Sequence, residues 1–185
     1  MRREALILVV VDLQEKLIPV IYNRDEVVEN TKKLLKLAEV FSIPVILTEQ
    51  YPKGLGRTIP EVEDLYNEIK TDKVKIEKLT FSCVREPSFT DLLSAKRKEG
   101  RGEVVVCGIE AHICVYQTCM DLKDMGYKVY LAGDAVGSRK EFNHKLILNY
   151  LVSRDIEVVP TETLIFELLE RSDTPEFKSM LPYLK

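Results

Sequence analysis

Continuous apolar runs alternate along the whole chain with stretches whose apolar positions recur at helical spacing. Residues 5–11 form an unbroken apolar run, the pattern of a strand buried on both faces. Asp25 is placed to cap a helix reaching Phe41, with Val27, Val28, Leu34, Leu35, Ala38 and Phe41 along one side. Residues 43–48 read as a second strand. Residues 49–59, with Pro52, Gly54 and Gly56, read as a loop. Pro60 suits a first helical position, and Val62, Leu65 and Ile69 form the inner face that follows. Residues 74–78 alternate strictly: Val74 and Ile76 on one side, Lys75 and Glu77 on the other, as at the edge of a sheet. Ser88 and Asp91 read as a helix start ahead of Leu92 and Leu93. Residues 103–109 form a fourth strand around the apolar Val104–Cys107 core. A helix over residues 113–125 then turns Val115, Cys119, Leu122 and Met125 inward. Residues 127–132 are the fifth strand. Ser138 and Glu141 form a capping box for a helix whose inner face is Phe142, Leu146, Tyr150 and Leu151. Residues 156–159 are the sixth strand, and Thr161 caps a last helix with Leu164, Ile165 and Leu168.

Six strand–helix repeats in succession predict an α/β fold of three layers, a doubly wound parallel sheet between two layers of helices. The most apolar strands, the first and fourth, belong at the centre. The alternating third strand and the short sixth belong at the edges. That is the order 3-2-1-4-5-6, whose switch point lies between strands one and four, beyond their carboxyl ends. The 185 residues suit one domain, since domains run to roughly 100–200 residues.

Composition narrows the chemistry. The net charge of −3 speaks against a nucleic-acid binder that works by neutralising phosphates. The longest apolar run is far too short to span a membrane, and the residues ahead of it do not resemble a signal peptide, so a cytoplasmic location is expected. Only two histidines occur, His112 and His144, with no paired-His or CxxC spacing, so a zinc site has few ligands to draw on, and the chemistry of a thiol nucleophile calls for no metal or organic cofactor. The four cysteines, Cys83, Cys107, Cys114 and Cys119, do not form a disulfide framework.

Three reactive groups fall just past strand ends at the switch point. Asp12 closes the first strand, where a carboxylate is costly unless it serves hydrogen bonds or chemistry. Lys78 closes the third. Cys114 lies in the first turn after the fourth, where a helix start and a nearby lysine are expected to lower a thiol's pKa. Together they have the composition of a nucleophile with its base. Cys107 and Cys119 read as core residues, and Cys83 as an edge of the pocket. Gln14, Leu17, Tyr51, Leu55, Phe81 and Ile113 flank the three strand ends and are candidate walls for a small-molecule substrate. His112 reads as a turn or cap residue, and His144 as surface or interface.

The segments Val10-Val11-Asp12-Leu13-Gln14, Lys78 with Thr80-Phe81-Ser82, Cys107-Gly108-Ile109-Glu110-Ala111-His112-Ile113-Cys114-Val115 and Gly133-Asp134-Ala135-Val136-Gly137-Ser138-Arg139 resemble the isochorismatase-like cysteine hydrolases, which include nicotinamidases and carbamoylsarcosine amidohydrolases. The resemblance implies the doubly wound fold and a catalytic triad of Asp12, Lys78 and Cys114. It also implies a cis peptide at Ile109–Glu110 that turns the Glu110 and Cys114 amides into an oxyanion hole. Nicotinamidases carry an Asp-x-His metal motif after the second strand. Here that segment is Thr48-Glu49-Gln50-Tyr51-Pro52, without histidine, so the likeness is to a metal-free branch. Isochorismatases proper cleave a vinyl ether without a cysteine nucleophile, so Cys114 points to carbon–nitrogen bond hydrolysis. The resemblance further implies a homo-oligomer, while the net charge and the short apolar runs speak against a nucleic-acid or membrane partner. The rival readings are another small-molecule hydrolase of this family, a magnesium-dependent phosphoryl-transfer domain built on Asp12, and a non-catalytic binding or assembly module. The second lacks the further acids such domains place beside the first.

Overall fold

The structure, a computed structural model, describes residues 1–184. Its strands are β1 (Leu6–Val11), β2 (Val45–Gln50), β3 (Lys73–Lys78), β4 (Glu103–Ile109), β5 (Lys128–Gly137) and β6 (Glu157–Val159). All pair in parallel, in the order β3-β2-β1-β4-β5-β6 expected from the apolar pattern. The helices are α1 (Arg24–Val40), α2 (Pro52–Leu55), α3 (Pro60–Glu68), α4 (Pro87–Lys98), α5 (Tyr116–Asp124), α6 (Glu141–Ser153), α7 (Thr161–Leu169) and α8 (Pro175–Met180).

Strand β1 shows why the sheet is central. Leu6, Leu8 and Val10 share one apolar core with residues of α1, α3, α7 and α8, while Ile7, Val9 and Val11 share a second with residues of α4, α5 and α6. A strand with helices on both faces needs apolar residues at every position, and β1 and β4 are buried throughout. β3 is the edge strand that its alternation predicts, with Ile76 buried and the neighbouring Lys75 and Glu77 turned outward.

Several local expectations are corrected. The second strand begins at Val45 and runs on to Gln50, so Glu49 and Gln50 lie in the sheet, not in a loop, and the loop beyond holds the single turn α2. None of the four assigned caps forms. Asp25 lies inside the first turn of α1, where a carboxylate favours the helix dipole without a hydrogen bond. Ser88 sits after Pro87, within α4. Ser138 meets His112, and Thr161 donates its hydroxyl to Asp134 Oδ1 at 2.6 Å. Both hydroxyls join separate elements.

α6 is turned differently from its expected face. Leu151 is buried, but Phe142 is 73% exposed and Leu146 58%. His144, expected at the surface or at an interface, is buried within the chain, its ring edge-on to Tyr22 with centroids 5.4 Å apart. Apolar residues surround this helix almost completely, so periodicity alone does not pick its inner side.

Candidate active site

The switch point between β1 and β4 brings Asp12, Lys78 and Cys114 together. Asp12 follows Val11, which pairs with both Thr48 of β2 and Gly108 of β4. Its backbone is left-handed at φ 52°, a conformation aspartate tolerates better than most residues and one that turns the chain sharply out of the sheet. Lys78 ends β3, two strands away, and its side chain reaches across β2. Lys78 Nζ lies 2.7 Å from Asp12 Oδ2, with both side chains shut off from solvent.

Such a pair is favourable only if the remaining lone pairs and protons are also satisfied. They are. Thr48 Oγ1 donates to Asp12 Oδ1 at 2.7 Å. Lys78 Nζ also donates to Gln50 Oε1 at 2.7 Å and to the Thr80 and Phe81 carbonyls at 3.2 Å each. Four acceptors thus surround a group with three protons, so the ammonium has none left over for a substrate. Burial opposes the charge on Lys78, but Asp12 and the neighbouring thiols outweigh it and the pKa is raised. Lys78 is a fixed positive charge.

Cys114 sits in a π-helical turn, Ala111–Val115, which precedes α5. The expected α-helical start begins only at Tyr116. The thiol is 8% exposed, and its pKa is pushed up to about 12, first by burial and then by the Asp12 carboxylate, with Lys78 opposing. The expectation of a lowered pKa is therefore corrected: Cys114 rests as a neutral thiol beside a carboxylate. Cys107 and Cys119 are fully buried, as their core reading requires. The Ile109–Glu110 peptide is cis. Glu110 Oε2 accepts from the Arg139 amide at 3.1 Å and from its Nε at 3.0 Å, which ties this corner to the end of β5. His112 Nδ1 lies 2.9 Å from Ser138 Oγ, a second tie from the π turn to the start of α6.

The expected walls fall in different places. Tyr51 and Phe81 stand exposed on the loops after β2 and β3, and Tyr51 shares with Lys78 a hollow of about 340 Å³. Ile113 is half-buried in the π turn, and Leu55 half-buried in α2. Leu17 packs into the core on the α1 side. Gln14 is corrected most plainly. It is fully buried, its Nε2 donating to the Gln50 and Gly56 carbonyls and its Oε1 accepting from the Gln50 amide. It clips the α2 loop to β1 from a fully buried position.

Glu49 makes the second clip on that loop. It is fully buried and accepts from Thr58 N and Oγ1 at 2.8 Å each and from Arg57 Nη1 at 2.9 Å. Burial pushes its pKa up, but these donors and Lys75 outweigh it and hold the carboxyl below its usual range. A folded-state pKa below the unfolded one contributes stability at neutral pH that is lost as pH falls through it. Glu49→Gln is expected to lower the urea midpoint at pH 7 and to reduce its further fall between pH 7 and about pH 3. Equal acid sensitivity in both proteins would remove Glu49 from this role. Among the described residues, no cluster of three or more His, Cys, Asp or Glu side chains is arranged to hold a metal ion.

Residues 6–163, from β1 into α7, match the isochorismatase domain family. The chain belongs to the isochorismatase family of hydrolases. Isochorismatase domain-containing protein 2 of Danio rerio is 35% identical over 176 residues, covering 94% of this chain and 84% of the relative. The secreted isochorismatase effector Isc1 of Phytophthora sojae is 32% identical over 179 residues, covering 97% and 84%. Among solved structures, the MAR1 ribonuclease of Caenorhabditis elegans shares the fold with a TM-score of 0.89 and 32% identity, covering 100% of this chain and 91% of that one. Within the isochorismatase fold, sequence reasoning named the three strand-end groups but missed Thr48 and Gln50, which hold two of them. The signal was available: in a 3-2-1 order, the last polar residues of strand two lie between the ends of strands one and three.

Proposed function

We propose that this protein is a cysteine hydrolase that cleaves the carbon–nitrogen bond of a small amide through a thioester. The observation that carries the reading is a neutral, nearly buried thiol, Cys114, beside a carboxylate, Asp12, that a buried ammonium holds in place. A thiol at that pKa is not a standing thiolate, so the nucleophile must form during attack. The Cys114 proton passes to Asp12 as sulfur bonds to the carbonyl carbon. The amides of Glu110 and Cys114 hold the resulting oxyanion, where the loss of one such donor costs about 10²–10³ in rate. Asp12 then returns the proton to the departing nitrogen as the carbon–nitrogen bond breaks. Water, deprotonated by Asp12, attacks the thioester, and the proton goes back to the cysteine sulfur as the acid leaves. Lys78 keeps the carboxylate charged at the start of each half-reaction.

The test is a screen of small primary amides, ureides and nicotinamide for ammonia or amine release, with Cys114→Ala in parallel. An RNA oligonucleotide is included because the C. elegans neighbour carries the name ribonuclease. The expected result is turnover of at least one amide, reduced at least about 10³-fold in Cys114→Ala. Turnover that survives the substitution, or RNA cleavage in place of amide hydrolysis, overturns the reading.

A further inference from the structure

Cys83 is a second thiol at the site with no part in the reaction above. It is fully buried, and its sulfur lies 3.8 Å from Thr48 Oγ1. Burial pushes its pKa up to about 11, with Lys78 opposing, so it rests protonated. A protonated thiol is a donor, and Thr48 has only one hydroxyl proton. The short contact of that hydroxyl is to Asp12 Oδ1, which has no proton to give while the pair with Lys78 is intact. The direction of both bonds is thereby set: Cys83 donates to Thr48, and Thr48 donates to Asp12.

We infer that Thr48 is a positioning residue for the base Asp12, oriented in turn by Cys83, and that this relay sets how readily Asp12 takes a proton from Cys114. The inference rests on the reading of Asp12 as the base for Cys114. Its geometry comes from the sheet. Thr48 pairs with Val11, the residue before Asp12, and the Asp12 amide itself donates to the Thr48 carbonyl at 3.2 Å. β2 thus grips Asp12 by backbone and by hydroxyl at once. With Oδ1 tied to β2 and Oδ2 tied to Lys78 of β3, the carboxylate cannot rotate, and its free lone pairs have one fixed direction. A donor to a carboxylate stabilises the charged form. Thr48 therefore aims the Asp12 carboxylate in one direction.

Iodoacetamide tests this without a known substrate. Alkylation forms a sulfur–carbon bond at Cys114, expels iodide and leaves the thiol proton on Asp12. The other three cysteines are fully buried, and the modified site is confirmed by peptide mass. The rate for the wild-type protein is expected to rise through an acid limb, where the Asp12–Cys114 pair loses its first proton, to a plateau. In Thr48→Val the limb is expected to move up by about one pH unit and the plateau rate to fall several-fold. Thr48→Ser, which keeps the hydroxyl, is expected to restore both. Thr48→Ala gives the same reading as the valine variant should that protein not fold. Cys83→Ala is expected to move the limb in the same direction by less. An unmoved limb in folded Thr48→Val or Thr48→Ala overturns the relay, as does a serine variant shifted as far as the valine one. A wild-type rate with no acid limb at all overturns Asp12 as the base, and with it the proposed function.

Discussion

Gly108→Ala is expected to destabilise the protein by more than about 4 kcal/mol, a large share of the roughly 5–15 kcal/mol that holds a domain folded. Gly108 has φ +112°, where a side chain is strained whatever the space. A Cβ there would also lie 2.1 Å from the Val11 carbonyl oxygen and 2.6 Å from the Val11 nitrogen. Both obstacles are backbone atoms of the paired central strand β1, so no side chain can move aside to relieve them. The position is also where the β4–β5 register shifts and the chain turns toward Glu110 and the π turn. Gly102→Ala is the control, since nothing lies within 4 Å of its added methyl. Urea midpoints compare the two. A midpoint for Gly108→Ala near that of Gly102→Ala would mean that β1 and β4 approach less closely than described.

Lys78→Met is expected to abolish activity and also to destabilise by about 3–5 kcal/mol, the usual cost of removing one partner of a buried ion pair. The two effects come apart with a second substitution. Without the ammonium, the Asp12 carboxylate is left buried without its charged partner. The double variant Asp12→Leu, Lys78→Met removes the orphaned charge and is expected to recover most of the stability while remaining inactive. A double variant no more stable than Lys78→Met would show that the three other contacts of Lys78, to Gln50, Thr80 and Phe81, and not its charge on Asp12, hold this corner.

The sequence was most informative where burial leaves no choice. β4 has the expected bounds, and the order of all six strands follows from how continuously each is apolar. It was least informative where one residue has several uses. Ser138 and Thr161 look like caps because their hydroxyls are typical of caps, but each is engaged by a partner 26 or more positions away in the chain. α6 carries too many apolar residues for its inner side to be read, and the side that turned inward includes His144. At the site, Asp12, Lys78 and Cys114 were legible because each ends a strand or begins a turn at the switch point. Gln14 looked like a wall by the same logic, yet its amide was needed to hold the backbone of a neighbouring loop. Thr48 and Gln50 went unseen because a strand residue that braces its lateral neighbours leaves no local pattern. The thiol's pKa was misjudged because the expected helix start is a buried π turn facing a carboxylate.

The two ends of the sheet also govern how copies of this chain can meet. On one side β3 alternates charged and apolar residues, and its lysines are tied down: Lys73 Nζ donates to the carbonyls of Tyr66, Asn67 and Ile69, and Lys75 pairs with Glu63. On the other side β6 is only three residues long. Neither margin offers a long apolar ribbon for a neighbouring chain to extend. Both margins thus disfavour open-ended fibre growth of crowded copies through the backbone.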